Sequence, residues 1–310
     1  MTSPARRVVL DCDPGHDDAM AILLAAASPA LDLVAITTVA GNQTLDKVTL
    51  NARRVCSVAG ITDVPIAAGA DRPLARAPIV AGDIHGTSGL DGVDWDEPTV
   101  PLDPRDGVDL IIEAADAGPL TLVAVGPLTN VATALRRAPR IADSLERISI
   151  MGGAIGLGNR TPAAEFNILT DPEAAELVLA SGVPITLVPL EVTHLALATD
   201  AIVERIEALR TPVATMSAAL MRFFADTYER VFGMRAPAVH DPCAVAAVID
   251  PSLVTTRHVN VAIDTRSELS MGRTVCDMHG VTGRPPNADV GIDLDVGRFW
   301  DLMLGALAAY

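Results

Sequence analysis

Four carboxylates fall within eight consecutive residues, Asp11-Cys12-Asp13-Pro14-Gly15-His16-Asp17-Asp18. Side chains packed so closely repel one another unless a cation sits among them, and oxygen-only ligands suit calcium or magnesium rather than zinc or copper. Gly15 permits a sharp turn, and Asp17 and Asp18 open a helix whose N-terminus tolerates negative charge. The plainer account is one helix cap plus solvated loop acids. The position of the cluster, where an open α/β sheet places its ligand crevice, favours the cation. Other polar candidates lie far along the chain. In His240-Asp241-Pro242, Asp241 would cap the helix starting at Pro242, an ordinary arrangement when taken alone. Asn159 and Glu165-Phe166-Asn167 would pass for loop polars, and Ile84-His85-Gly86 for a surface histidine in a glycine-rich loop.

These residues can meet only if the fold gathers them. Short apolar, β-branched runs at 8–13, 31–39, 64–68, 120–125, 148–151 and 185–189 read as strands. Helices are expected at 17–27, at 45–59 closed by Gly60, and at 108–117, 128–137 and 172–180, the last with Asp171 as cap and Pro172 at its first position. Such alternation specifies an α/β fold with a mainly parallel, Rossmann-like sheet flanked by helices. The C-terminal third turns helical over 199–231, with Thr211-Pro212 as a second start, then after Asp241-Pro242 and again at 299–309. No linker, repeat or low-complexity stretch interrupts the chain, so 1–310 reads as one domain. In this layout Asp13, Asp17 and Asp18 follow the first strand, Asn42 the second, Gly126 the strand at 120–125, and Gly152-Gly153 the strand at 148–151. Residues scattered in sequence thereby reach one rim of the sheet.

Half of the residues are hydrophobic but only 3% are aromatic, a core of Ala, Val, Ile and Leu that suits a buried parallel sheet. The formal net charge of -16, without Lys/Arg clusters, argues against nucleic acid or anionic lipid as a partner. The N-terminus lacks the pattern of a signal peptide, and the longest apolar run, 19–27, is about half a membrane span. Cys12, Cys56, Cys243 and Cys276 are widely spaced and read as reduced thiols of a cytoplasmic protein.

Taken together, the blocks carry a family resemblance. The sequence resembles the inosine-uridine preferring nucleoside hydrolases from about residue 8 to the C-terminus. The stretch Asp11 to Asp18 after a strand is similar to the aspartate signature of that family. Val39-Ala40-Gly41-Asn42, Gly126-Pro127-Leu128-Thr129-Asn130 and Met151-Gly152-Gly153 match further blocks in order, as do Glu165-Phe166-Asn167, Asp171-Pro172-Glu173-Ala174-Ala175 and His240-Asp241-Pro242.

The resemblance implies a ribonucleoside hydrolase that uses calcium to split purine or pyrimidine ribonucleosides into ribose and free base. It implies that Asp13, Asp18, Asp241 and the main-chain carbonyl of Val125 hold calcium, and that Asp13 takes the proton of the attacking water. Asp17, Asn42, Asn159, Glu165, Asn167 and Asp241 would hold the ribose hydroxyls, while Met151 and Phe166 line the sugar. His85 and His240 would face the base, with His240 donating the proton to the leaving group, and Tyr228 on the helical stretch 223–232 is the candidate for stacking. The chemistry is coherent. Cleavage passes through an oxocarbenium-like sugar, which needs a held nucleophile, fixed hydroxyls and help for a poor leaving group. The two histidines favour a broad or pyrimidine-preferring enzyme, and the resemblance suggests a homotetramer or homodimer.

Two other readings compete. In a haloacid-dehalogenase-like phosphatase, a DxD after the first strand supplies an aspartyl nucleophile and a magnesium ligand. Pro14-Gly15 breaks the expected continuation, however, and no lysine is placed for the phosphate. A non-catalytic nucleoside-binding protein would need neither the base Asp13 nor the acid His240.

Overall fold

Val8, Val9 and Leu10 are completely buried, as a strand covered on both faces requires. They belong to β1 (Arg6–Cys12) of an eight-stranded sheet in the computed structural model, which describes residues 5–310. The other strands in chain order are β2 (Leu31–Thr38), β3 (Ile66–Ala68), β4 (Leu120–Ala124), β5 (Leu145–Met151), β6 (Ile185–Val188), β7 (Val254–Val259), and β10 (Ala288–Leu294). Between the last two, β8 (Val261–Ile263) and β9 (Thr274–Cys276) form a separate antiparallel ribbon. The sheet order is β3-β2-β1-β4-β5-β6-β10-β7. All pairings are parallel except β10 with β7.

The order reverses at β1, which pairs with β2 on one side and β4 on the other. Chains leaving the carboxyl ends of β1 and β4 therefore turn to opposite faces and open a crevice between them. Helices cover both faces. His16–Ala27, Pro212–Phe232, Asp241–Ile249 and Val296–Leu307 share one apolar core; Gly107–Asp116, Thr129–Arg137 and Pro172–Leu179 share the other. In His16–Ala27 every residue from Ala19 to Ala25 is buried. The helix is apolar all round because other helices enclose it.

The expected α/β architecture is present, with three differences of detail. The stretch 199–231 is two helices, Asp200–Glu207 and Pro212–Phe232, split where Thr211 Oγ1 accepts from the Ala214 N–H and Pro212 takes the first position. The helix expected to start at Pro242 starts at Asp241, and His240 occupies the cap position. Freed from capping, the Asp241 carboxylate turns to the acidic cluster. Strands β7 to β10 lie between the helix after Asp241-Pro242 and the one expected at 299–309, where no strand was expected; β7 exposes four of its six residues, so its apolar signal is weak. Asp171 caps its helix as expected, accepting from the Ala174 N–H. All four cysteines are free. Among the described residues no helix is long and apolar enough to cross a membrane.

Candidate active site

The chain leaves β1 at Cys12 and enters the turn Asp13-Pro14-Gly15, which is folded around one carboxylate. Asp18 Oδ1 accepts from the Asp13 N–H at 3.0 Å and Asp18 Oδ2 from the Gly15 N–H at 2.9 Å. The amide of Asn42, in the loop after β2, clamps the same turn: its Nδ2 donates to the Asp13 carbonyl and to Asp18 Oδ2, both at 3.1 Å. Its backbone N–H donates to Asp13 Oδ2 at 2.6 Å. The other oxygen, Asp13 Oδ1, is buried without a hydrogen-bond partner. An ionised oxygen left unpaired in the interior is costly, so this atom is either protonated or reserved for a ligand.

Two glycines make room for it. A Cβ at Gly41 would collide with Asp13 Oδ2 and with Pro127, and one at Gly126 would press on Asp13 Oδ1. Asp17, Asp18 and Asp241 complete the cluster, with carboxylate oxygens within 4.8 Å of one another. The family resemblance groups Asp13, Asp18 and Asp241 with the Val125 carbonyl as the ligands; the structure brings Asp17 beside Asp18 and Asp241, its Oδ2 accepting from the His240 N–H at 3.2 Å. Burial, followed by mutual repulsion, raises Asp17 to about 8 and Asp13 and Asp241 well above the ordinary carboxylate range. Asp18 is also raised by burial, against the pull of its backbone hydrogen bonds. The Val125 carbonyl, just past β4, accepts from Asn167 Nδ2 at 2.8 Å and keeps a second lone pair. The donors are all oxygen, and a buried oxygen is unpaired, so the residues fit a hard divalent cation.

Above this floor lies a cavity lined by Asp17, Asn42, His85, Val125, Met151, Asn159, Glu165, Phe166, Asn167, Tyr228, His240 and Asp241. Thus every residue singled out from the sequence is in the cavity wall except Asp13 and Asp18, which sit beneath it. Glu165 caps the helix Phe166–Thr170, its two oxygens accepting from the Asn167, Ile168 and Gly153 N–H groups. Asn159 Oδ1 accepts from the Phe166 N–H at 3.0 Å, leaving its amide nitrogen for the cavity.

Both ring nitrogens of His240 are engaged. Nδ1 lies 2.7 Å from Thr193 Oγ1 and Nε2 lies 2.7 Å from Tyr228 Oη. Burial and the neighbouring His194 push His240 down to about 3, so the ring is neutral at physiological pH. Burial likewise holds His85 well below the usual histidine range and raises the Tyr228 hydroxyl. Tyr228, read from sequence as a stacking ring, meets Phe224 edge-on at 4.7 Å and points its hydroxyl at His240. Sequence reasoning missed Thr193, Phe224, Arg160 and Asp83. The last two, both lining the cavity, form an ion pair of 2.9 Å. Only Phe224 had a signal, as part of the helical stretch flanking the base.

The sequence matches the family model "Inosine-uridine preferring nucleoside hydrolase" over residues 8–301. It is 45% identical over 310 residues to the pyrimidine-specific ribonucleoside hydrolase RihA of Shewanella sp. (strain MR-7), covering 99% of this chain and 97% of that one. Identity to the inosine-uridine preferring nucleoside hydrolase of Crithidia fasciculata is 46% over 306 residues, with 97% of each chain covered. Among solved structures, the purine-preferring ribonucleoside hydrolase from Gardnerella vaginalis superposes with a TM-score of 0.92 at 31% identity, covering 98% of both chains. The plant nucleoside hydrolase PpNRh1 gives a TM-score of 0.91 at 31% identity, covering 99% of this chain and 100% of that one.

Proposed function

This chain belongs to the inosine-uridine preferring nucleoside hydrolase family, and from that premise we propose how its residues divide the hydrolysis of a ribonucleoside into ribose and free base. Asp13, Asp18, Asp241 and the Val125 carbonyl hold calcium, with Asp17 turned to the sugar side. The observation that carries this reading is the buried, unpartnered Asp13 Oδ1 beneath the cavity. Bound calcium supplies a Lewis acid that makes water easier to deprotonate. Asp13 Oδ1 takes a proton from the attacking water, whose oxygen bonds to the anomeric carbon as the carbon–nitrogen bond breaks and its electron pair moves to the base.

Asp17, Asn42, Asn159, Glu165, Asn167 and Asp241 fix the ribose hydroxyls, with Met151 and Phe166 against the ring. Their contribution is placement, which favours the flattened sugar. The base then needs a proton. A neutral His240 that accepts from the Thr193 hydroxyl at Nδ1 carries its own hydrogen on Nε2 and donates it to Tyr228 Oη. That polarity leaves the Tyr228 O–H free to give its proton to the departing base. The Nε2–H of His240 steadies the phenolate that remains, and a proton from solvent restores the hydroxyl once the base has left. The opposite tautomer would turn the Tyr228 proton away from the cavity.

The presence of His85 and His240 in one cavity supports a broad or pyrimidine-preferring enzyme, in line with the names of the Shewanella and Crithidia fasciculata relatives. Four free thiols support a cytoplasmic setting, and the family resemblance supports a homotetramer or homodimer, which light scattering distinguishes. A panel of uridine, cytidine, inosine and adenosine, assayed with calcium and with chelator, tests the reaction itself. Base release independent of any divalent cation would overturn the metal assignment; no release from any riboside would overturn the reaction.

A further inference from the structure

His16 stands among the aspartates of the cluster yet neither lines the cavity nor carries a charge for a cation. It is fully buried at the start of the helix His16–Ala27. Its ring is stacked on Phe223 at 5.2 Å with 3° between planes, and on Phe224 at 5.0 Å with 13°. Nε2 lies 2.8 Å from the Asp91 carbonyl, and Nδ1 lies 3.1 Å from Nδ1 of His85.

These two contacts determine where the protons are. A carbonyl oxygen only accepts, so His16 Nε2 carries a hydrogen. The ring is buried among aromatic rings and has no carboxylate on either nitrogen, so it holds one proton and Nδ1 is a bare lone pair. Two ring nitrogens 3.1 Å apart must share a hydrogen, which therefore belongs to His85 Nδ1. The backbone N–H of His16 also faces His85 Nδ1, but at 3.4 Å, the longest of the three contacts. Reversing the two rings to satisfy it would set the His16 Nε2 lone pair against the Asp91 carbonyl at 2.8 Å. With Nδ1 protonated, a neutral His85 has a bare Nε2, the nitrogen for which no protein partner exists among the described residues.

We infer that His16 is a positioning residue that locks His85 in its Nδ1–H tautomer, so that His85 offers the base a hydrogen-bond acceptor. The chemical consequence is selectivity. A base whose edge brings an N–H, as uracil and hypoxanthine do on the ring nitrogen beside their carbonyl, matches that acceptor. A base with a bare nitrogen at that place, such as cytosine or adenine, does not. The inference rests on His85 facing the base, as proposed above, but its first test needs no turnover. Long-range proton–nitrogen NMR of imidazole-labelled protein reads which nitrogen of each ring is protonated.

Three proteins are compared: wild type, His16→Asn and His16→Leu. The side-chain oxygen of the introduced asparagine replaces the Nδ1 lone pair, whereas leucine fills the space and accepts nothing. His85 should be Nδ1–H in wild type and His16→Asn, and lose that preference in His16→Leu. In kinetics, His16→Leu should raise KM for uridine about tenfold, the effect of one neutral hydrogen bond. kcat/KM for p-nitrophenyl riboside, which lacks a nucleobase edge, should stay within about threefold, and His16→Asn should recover most of the uridine loss. If His16→Leu does not fold, wild type and His16→Asn still decide the tautomer. An Nε2–H tautomer of His85 in wild type overturns the inference, as do equal losses of His16→Leu on both substrates. A wild type that fails to cleave uridine counts against the enzyme reading alone, because the NMR result stands without it.

Discussion

The hydroxyl of Tyr228 and Nε2 of His240 lie 2.7 Å apart, joining a residue of the helix Pro212–Phe232 to the cap position of the helix Asp241–Ile249. With Thr193 on the other ring nitrogen, they make a three-membered chain that ends at the cavity.

Breaking this chain should harm only substrates whose leaving group needs a proton. Tyr228→Phe and His240→Ala should each slow inosine or uridine hydrolysis by about 10² to 10⁴-fold, the usual reach of general acid catalysis. p-Nitrophenyl riboside, which departs as a stable anion, should be nearly spared. Asn167→Ala should instead lose similar factors on both substrates, because the ribose is common to them. If His240→Ala lost equally on both, His240 would serve the sugar or the loop.

In the proposed mechanism Asp13 holds two functions in one carboxylate. Asp13→Ala should cut kcat by at least about 10³-fold, since both a metal ligand and the base are lost. A variant within tenfold of wild type would place the chemistry elsewhere.

Gly126 tests the shape of the site without removing a polar group. Gly126→Ala puts a methyl against Asp13 Oδ1, and overpacking of this kind costs about 1 to 3 kcal/mol. A folded protein with calcium affinity lowered at least tenfold is expected, measured by calorimetry beside the melting temperature. Unchanged affinity would mean that Asp13 has more freedom than its two glycine neighbours imply.

Metal removal should interact with pH in a defined direction. Burial raises Asp17 from 3.8 to about 8 and raises Asp13, Asp18 and Asp241 with it. A carboxyl raised in the folded state contributes stability that is complete below pH 3.8 and lost as pH rises through its folded value, about 8 for Asp17. Chelated protein should therefore lose melting temperature as pH rises from about 5 to about 8.5. Calcium competes with those protons, so the increment in melting temperature from saturating calcium should grow over the same range. A constant increment would detach the cluster from the metal.

Much of the site is legible in the sequence because its residues sit immediately after strands. Asp13, Asn42, Val125 and Met151 mark the ends of β1, β2, β4 and β5, and each is flanked by an apolar run and a glycine or proline. Thr193 and His16 are not legible in this way. A threonine reveals nothing of the ring it will meet, and His16 hides among four carboxylates that draw the eye to a cation. The far side of the sheet is obscure for another reason. Strand β10 pairs with β6 through only Asp289 and Val290, and otherwise leans on β7. Partners drawn from 185–188 and 254–259 leave no periodic signature near 288–294.

That late strand has a bearing on how the molecule is made. β10 is inserted between two strands synthesised earlier, and the helix Val296–Leu307 then closes over the core shared with the helix His16–Ala27. Until β10 is made, β6 presents an unpaired apolar edge (Ile185, Thr186, Leu187 and Val188) of the kind that templates association with another chain. The sheet is thus completed by its last-made strand, and a nascent chain stalled before Ala288 is the form of this protein most in need of a chaperone.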